Sequence, residues 1–215
     1  MTRVKVCGVR SREIAQQLET LPIDYVGFVF ATGSRRLITP TFARELASFL
    51  PERIRRVGVF VDSSPTELQA IIDEAGLSVV QLQGNESPDV CRAARHSGAF
   101  VWKAWPVRGE EYDQNVTAYA DCIDGLLLDT YKAGVAGGTG QTFPWESIRF
   151  FQRWLPHVPI VVAGGLSPGN VGALIQQYRP SAVDVSSGIE VNGAQNFDQI
   201  KQFIEKVGKA DAISG

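Results

Sequence analysis

Eight times along the chain, a short run rich in β-branched and aromatic residues alternates with a stretch of helical periodicity. No other feature restricts the fold as much. The runs are residues 3–6, 25–30, 57–61, 79–82, 100–104, 125–129, 160–163 and 183–186. Helical patterns fall between them, as at 14–18, 42–50, 66–75 and 171–178, and a last one covers 197–207. Ser64-Pro65 and Ser167-Pro168 supply helix-start signals. Parallel strands need a crossover between them, usually a helix, so this order predicts a parallel sheet. Eight such units in 215 residues are the arithmetic of a single (β/α)₈ TIM barrel. A doubly wound open sheet is the alternative, but it would place a Gly-rich turn after the first strand, whereas here the glycines cluster late. No linker, low-complexity segment or charge block divides the chain, so residues 1–215 are read as one domain.

Composition narrows the partners. Lys+Arg 21 against Asp+Glu 23 leaves a net charge of -2, without the basic excess that nucleic acid or an anionic membrane normally requires. Neither is an expected partner. Cys7, Cys91 and Cys122 are widely spaced, with no CxxC or metal-ligand pattern, which suggests reduced thiols in a cytoplasmic protein. His96 and His157 are the only histidines, too few for a His-based metal site or a Ser-His-Asp triad. No charged-then-apolar leader precedes Val4, and no apolar run is long enough to span a bilayer.

A barrel places its chemistry at the C-terminal ends of the strands and in the loops that follow. On the first strand, period-two alternation turns Val4 and Val6 toward the helices and Lys5 and Cys7 inward. A buried lysine needs a carboxylate, and Asp184 on the neighbouring last strand is the expected partner. Free cysteines are often small buried hydrophobes, which is the reading kept for Cys91 and Cys122. Cys7, at a strand tip beside Gly8, is instead a candidate base whose pKa should fall toward neutrality beside Lys5. Asp129 ends an otherwise apolar sixth strand. It reads equally as a turn-starting residue or as a proton donor facing Cys7 across a substrate. Gln81 and Gln83 share one face of strand four, and Lys103 ends strand five.

Three small-residue stretches suit an anion, because glycine lets backbone N–H groups approach it closely. Gly137-Gly138-Thr139-Gly140 follows strand six, Gly164-Gly165 follows strand seven, and Ser186-Ser187-Gly188 follows strand eight. The last two are where barrels commonly hold a phosphate. Arg35 and Arg36, in the loop after strand two, read either as solvated surface or as a two-point clamp for a carboxylate.

Together these segments resemble the phosphoribosylanthranilate isomerase family. Its K-[IV]-C-G matches Lys5-Val6-Cys7-Gly8, and its G-F-x-F and S-x-R match Gly27-Phe28-Val29-Phe30 and Ser34-Arg35-Arg36. Gln81-Leu82-Gln83-Gly84-Asn85-Glu86 fits Q-L-x-G-x-E, and Leu127-Leu128-Asp129 with Gly137 through Trp145 fits L-L-D and G-G-T-G-x-x-F-x-W. The segments 163–171 and 184–190 fit A-G-G-L-x-P-x-N-V and D-x-S-S-G-x-E. The matches run in order over nearly the whole chain. Three positions depart: Gln83 stands where the family usually has His, Arg35 where it has Pro, and Pro144 where Asp is common.

The resemblance implies an Amadori rearrangement of N-(5-phosphoribosyl)anthranilate to the corresponding 1-deoxyribulose 5-phosphate, with Asp129 as general acid and Cys7 as base. Arg36 would take the anthranilate carboxylate, and Gly138, Gly164, Gly165, Ser186, Ser187 and Gly188 would contribute to substrate and phosphate binding. Proton transfers alone suffice, so no cofactor or metal is expected, and the chain would act as a monomer or homodimer. The histidine-pathway aminoaldose isomerase is a rival that would call for Asp where Cys7 stands. Indole-glycerol-phosphate synthase is another, with an N-terminal extension for which this sequence shows no counterpart. A non-catalytic phosphate-binding protein would need neither Cys7 nor Asp129.

Overall fold

A computed structural model describes residues 1–108, 113–130 and 142–214. Eight parallel strands close into a barrel: β1 (Arg3–Cys7), β2 (Tyr25–Val29), β3 (Arg55–Phe60), β4 (Val79–Leu82), β5 (Phe100–Val107), β6 (Gly125–Thr130), β7 (Ile160–Val162) and β8 (Ala182–Val185). β8 pairs back onto β1 with Lys5 opposite Asp184, as the barrel reading requires. The helices are α1 (Arg12–Leu18), α2 (Pro40–Ala47), α3 (Pro65–Ala75), α4 (Pro88–Arg95), α5 (Ile148–Trp154), α6 (Val171–Tyr178) and α7 (Phe197–Ser214). Among the described residues, none is long and apolar enough to cross a membrane.

Local chemistry sets the helix starts. Thr39, Ser64 and Ser87 each precede a proline at the first helical position, and each side-chain oxygen accepts the backbone N–H three residues on, satisfying a donor that the helix cannot. Ser167-Pro168 also precedes its helix as expected, but without this side-chain cap. Asn170 turns back instead, accepting from the Ser167 amide at 2.9 Å and donating to the Gly165 carbonyl at 2.9 Å. These bonds tie the chain into a turn, and α6 starts only at Val171. Between β5 and β6 the described residues form a 3-10 helix, Gln114–Tyr119, rather than an α-helix.

The apolar surface divides into two layers. Val4, Val6, Val26, Phe28, Val80, Leu82, Leu126 and Leu128 point outward and join the helices in one large core. Tyr25, Val57, Val79, Trp102, Leu127 and Val161 fill the lower barrel interior. Above them the interior turns polar. Lys5 is fully buried, and its Nζ donates to Asp184 Oδ2 at 2.8 Å and to Gln81 Oε1 at 2.8 Å. Burial works against the ammonium charge, but the Asp184 carboxylate and the Cys7 sulfur outweigh it, so Lys5 keeps its proton. Lys5→Met is expected to destabilise the fold by about 3–5 kcal/mol, since it strands a buried carboxylate. Urea unfolding measures this, and a cost below about 1 kcal/mol would show that the pair is dispensable.

Lys103 does not end its strand as the sequence suggested. β5 continues to Val107, and Lys103 alternates with the interior residues Trp102 and Ala104, so it points away from the barrel axis. There its amine donates to the carbonyls of Leu82, Gly84 and Ala104 and pairs with Glu86 at 3.1 Å. Glu86 in turn accepts from the amides of Asp62 and Gly84. This buried cluster fixes the loop that follows β4.

Candidate active site

Cys7 closes β1 and Asp129 stands near the end of β6, and both side chains line a single cavity of about 130 Å³ at the C-terminal mouth of the barrel. Its floor is the polar layer of Gln81 and Asp184, and Val29, Ala31, Val59 and Val61 form an apolar wall. Arg36 and Gln83 complete the rim. The juxtaposition of sulfur and carboxyl expected from the sequence is therefore present.

Arg36 reaches this position because of Gly8. Gly8 has φ +78, and a Cβ there would come within 2.4 Å of Arg36 Cδ, so the bare backbone lets the arginine lie across the tip of β1. Glu190 then holds the guanidinium, accepting Nε at 3.0 Å and Nη2 at 2.7 Å on one oxygen. Its other oxygen takes Arg35 at 2.5 Å. Arg36 Nη1 donates to no other described group, leaving an edge of the fork for an anion. Arg36 is only 11% exposed, so the solvated-surface reading does not apply to it. Arg35, 53% exposed, fits that reading better.

Gly164 solves a second packing problem. With φ +75, it sits where a Cβ would lie 2.3 Å from Thr130 Oγ1 and 2.8 Å from Asp129 Oδ1, so the end of β7 can approach the carboxylate only as glycine. Gly164, Gly165, Ser186 and Ser187 all line the cavity. Among the described residues, the amides of Gly165, Ser187 and Gly188 donate to no backbone acceptor. Gly188, expected at the site, does not line the cavity; it packs against the loop after β7, where a Cβ would lie 1.8 Å from the Leu166 carbonyl oxygen. Gly138 lies outside the described residues.

Burial governs the two candidate proton carriers. It pushes the Cys7 thiol above its ordinary range, the reverse of the expected fall. Lys5 does pull the thiol down, but desolvation outweighs it and the negative charge of Asp184, already paired to Lys5, opposes a thiolate. Burial likewise raises the Asp129 carboxyl to about 6, against the opposing pull of the Thr130 amide, which donates to Oδ1 at 2.8 Å. An acid near 6 is well placed to carry and release a proton close to neutrality. Cys91 and Cys122 are buried away from the site, and burial drives Cys91 to about 12, in keeping with an inert packing role. Among the described residues, no three His, Cys, Asp or Glu side chains gather as a metal site would require.

One supporting element escaped the sequence reading. Residues Glu190–Val191 (β9) and Ala194–Gln195 (β10) form a small antiparallel ribbon after β8. Asn192 and Gly193, both at positive φ, make its turn. This dipeptide is a strong hairpin signal, and it could have been read. The ribbon presents Glu190 to the arginines, and Gln195 Nε2 donates to the Cys7 carbonyl at 3.1 Å, beside Ser186 Oγ at 3.2 Å.

The family model for N-(5'phosphoribosyl)anthranilate (PRA) isomerase matches residues 4–206. The N-(5'-phosphoribosyl)anthranilate isomerase of Moorella thermoacetica is 43% identical over 211 residues, covering 98% of this chain and 92% of the relative. The crystal structure of the Thermotoga maritima enzyme, a dimeric isomerase, aligns with TM-score 0.87 and 37% identity over 97% of this chain and all of that one (100%). A further solved isomerase, at 35% identity and TM-score 0.83 over 97% of this chain and 100% of the other, holds reduced 1-(o-carboxyphenylamino)-1-deoxyribulose 5-phosphate. With the barrel and the cavity wall built from the same motifs, this chain belongs to the phosphoribosylanthranilate isomerase family.

Proposed function

We propose that this chain, acting as a phosphoribosylanthranilate isomerase in tryptophan biosynthesis, moves protons between Asp129, Cys7 and the sugar of its substrate. The observation that carries the reading is the shared cavity, with Cys7 and Asp129 entering it from β1 and β6. Asp129 gives its proton to the ribose ring oxygen of N-(5'-phosphoribosyl)anthranilate, and the ring opens to a Schiff base. The Cys7 thiolate removes the proton at C2, and the resulting enolamine tautomerises to the ketone of 1-(2-carboxyphenylamino)-1-deoxyribulose 5-phosphate. The polar ends of the substrate find matching partners. The Nη1 edge of Arg36 suits the anthranilate carboxylate, Val29 and Val61 offer an apolar surface to its ring, and the amides of Gly165 and Ser187 suit the phosphate.

The direct test follows the loss of anthranilate-type fluorescence from freshly generated substrate. Conversion no faster than in the absence of protein would overturn the reading. In the same assay Arg36→Ala is expected to raise KM roughly 10- to 100-fold with kcat largely kept, the cost of one charged hydrogen-bonding partner to the bound anion. Normal KM with lowered kcat would remove the clamp role from Arg36.

A further inference from the structure

Two neutral amides connect the buried ammonium of Lys5 to the acid. Lys5 Nζ donates to Gln81 Oε1 at 2.8 Å, Gln81 Nε2 donates to Gln83 Oε1 at 2.6 Å, and Gln83 Nε2 donates to Asp129 Oδ2 at 3.1 Å. The ends of this chain dictate its direction. An ammonium has only donors and an ionised carboxylate only acceptors. Each glutamine must therefore turn its carbonyl toward Lys5 and its NH₂ toward Asp129; inverting either amide would set two donors or two acceptors face to face. Gln81 is 3% exposed, so water cannot replace a lost partner there cheaply, and aligned bonds of this kind polarise one another.

We propose that Gln83 is a positioning residue for the general acid, holding the Asp129 carboxyl in one orientation through the donor chain that starts at Lys5. The proposal rests on Asp129 being that acid. The Thr130 amide fixes one carboxyl oxygen and Gln83 fixes the other, so the plane of the group is set before substrate arrives. Both bonds are made best to the ionised group, so Gln83 favours the product state of proton donation. A carboxamide does not titrate, so position 83 adds no pH dependence of its own, unlike the histidine usual in the family. Among the described residues, the charged and titratable groups around the same cavity are Lys5 and Cys7 from β1, Arg36 from the loop after β2, and Asp184 from β8.

The test compares Gln83→Leu, Gln83→His and Asp129→Ala with the parent enzyme, following kcat, KM and kcat/KM against pH. Gln83→Leu is expected to lower kcat roughly 10- to 100-fold by loosening the acid, with KM within about twofold of the parent because the side chain acts through Asp129 and not on substrate. The acid-side limb of kcat/KM, set by Asp129 at about 6, should move up by roughly half a unit or more once the donor is gone. Gln83→His, which restores an N–H donor, should recover most of kcat. Parental kcat with an unmoved limb in Gln83→Leu, a rise in KM alone, or a histidine variant as slow as the leucine one would each overturn the proposal. Thermal melts establish that the variants are folded, and Gln83→Met, which also lacks a donor, takes the place of a leucine variant that is not. Activity retained in Asp129→Ala would remove the acid itself. An inactive Asp129→Ala beside a parental Gln83→Leu would remove only the role of Gln83.

Discussion

Replacing Cys7 with alanine is expected to lower kcat by roughly 10²- to 10⁴-fold, the usual worth of a positioned general base. The sulfur lines the cavity at the tip of β1, so its loss widens an existing space and leaves the barrel closed. KM should change little, because the proposed mechanism assigns substrate binding to the carboxylate and phosphate contacts and not to the thiol. Serine is not expected to rescue, since a hydroxyl gives up its proton far less readily than a thiol. Steady-state fluorescence decay measures all three, and an alanine variant within tenfold of the parent would end the assignment of Cys7 as base. Because burial sets the thiol above its ordinary range, only a small share of the free enzyme carries a thiolate near neutrality. Alkylation of Cys7 should therefore be slow at pH 7 and accelerate steadily with rising pH.

A comparable loss, again roughly 10²- to 10⁴-fold in kcat, is expected for Asp129→Ala. The pH profile of the parent gives an independent reading. On the proposed mechanism the active form needs a protonated Asp129 and an ionised Cys7, yet the acid titrates at about 6 and the thiol higher. Between those values the two requirements change in opposite directions and cancel, so kcat/KM is flat. Below about 6 the acid is already protonated and the thiolate keeps declining, so the rate falls. Above the thiol's own titration, the base is fully ionised and the acid keeps losing its proton, so the rate falls again. The acid-side limb therefore reports Asp129 even though the shrinking thiolate population causes the fall. A profile still level at pH 4 would show that Asp129 does not ionise near 6 in the free enzyme.

Much of this was legible before folding because strand alternation assigns faces. The inward turn of Lys5 and Cys7, the pairing of Lys5 with Asp184, and the placing of Gln81 and Gln83 on one side of β4 all follow from a period of two and from β1 lying beside β8. Lys103 was misplaced because the same rule needs a strand end, and the apolar signal fades at Trp105-Pro106 although β5 continues. Ser167-Pro168 announced the right helix, Val171–Tyr178, but the side chain that ties down its start, Asn170, was not legible from the dipeptide. Glu190 stood within a recognised motif, but its part in holding Arg36 needs a hairpin and a loop far apart in the chain.

Hydrophobic period, turn residues and motif order, all local properties of the chain, were enough to specify the closed barrel, the end where the cavity opens, and the sulfur and carboxyl that line it. Protonation and orientation were not local. Desolvation by the assembled barrel reversed the expected fall in the Cys7 pKa, and the line of amides from Lys5 to Asp129 exists only once β1, β4 and β6 stand around one axis. Both effects depend on distances through space, and only the folded protein sets those.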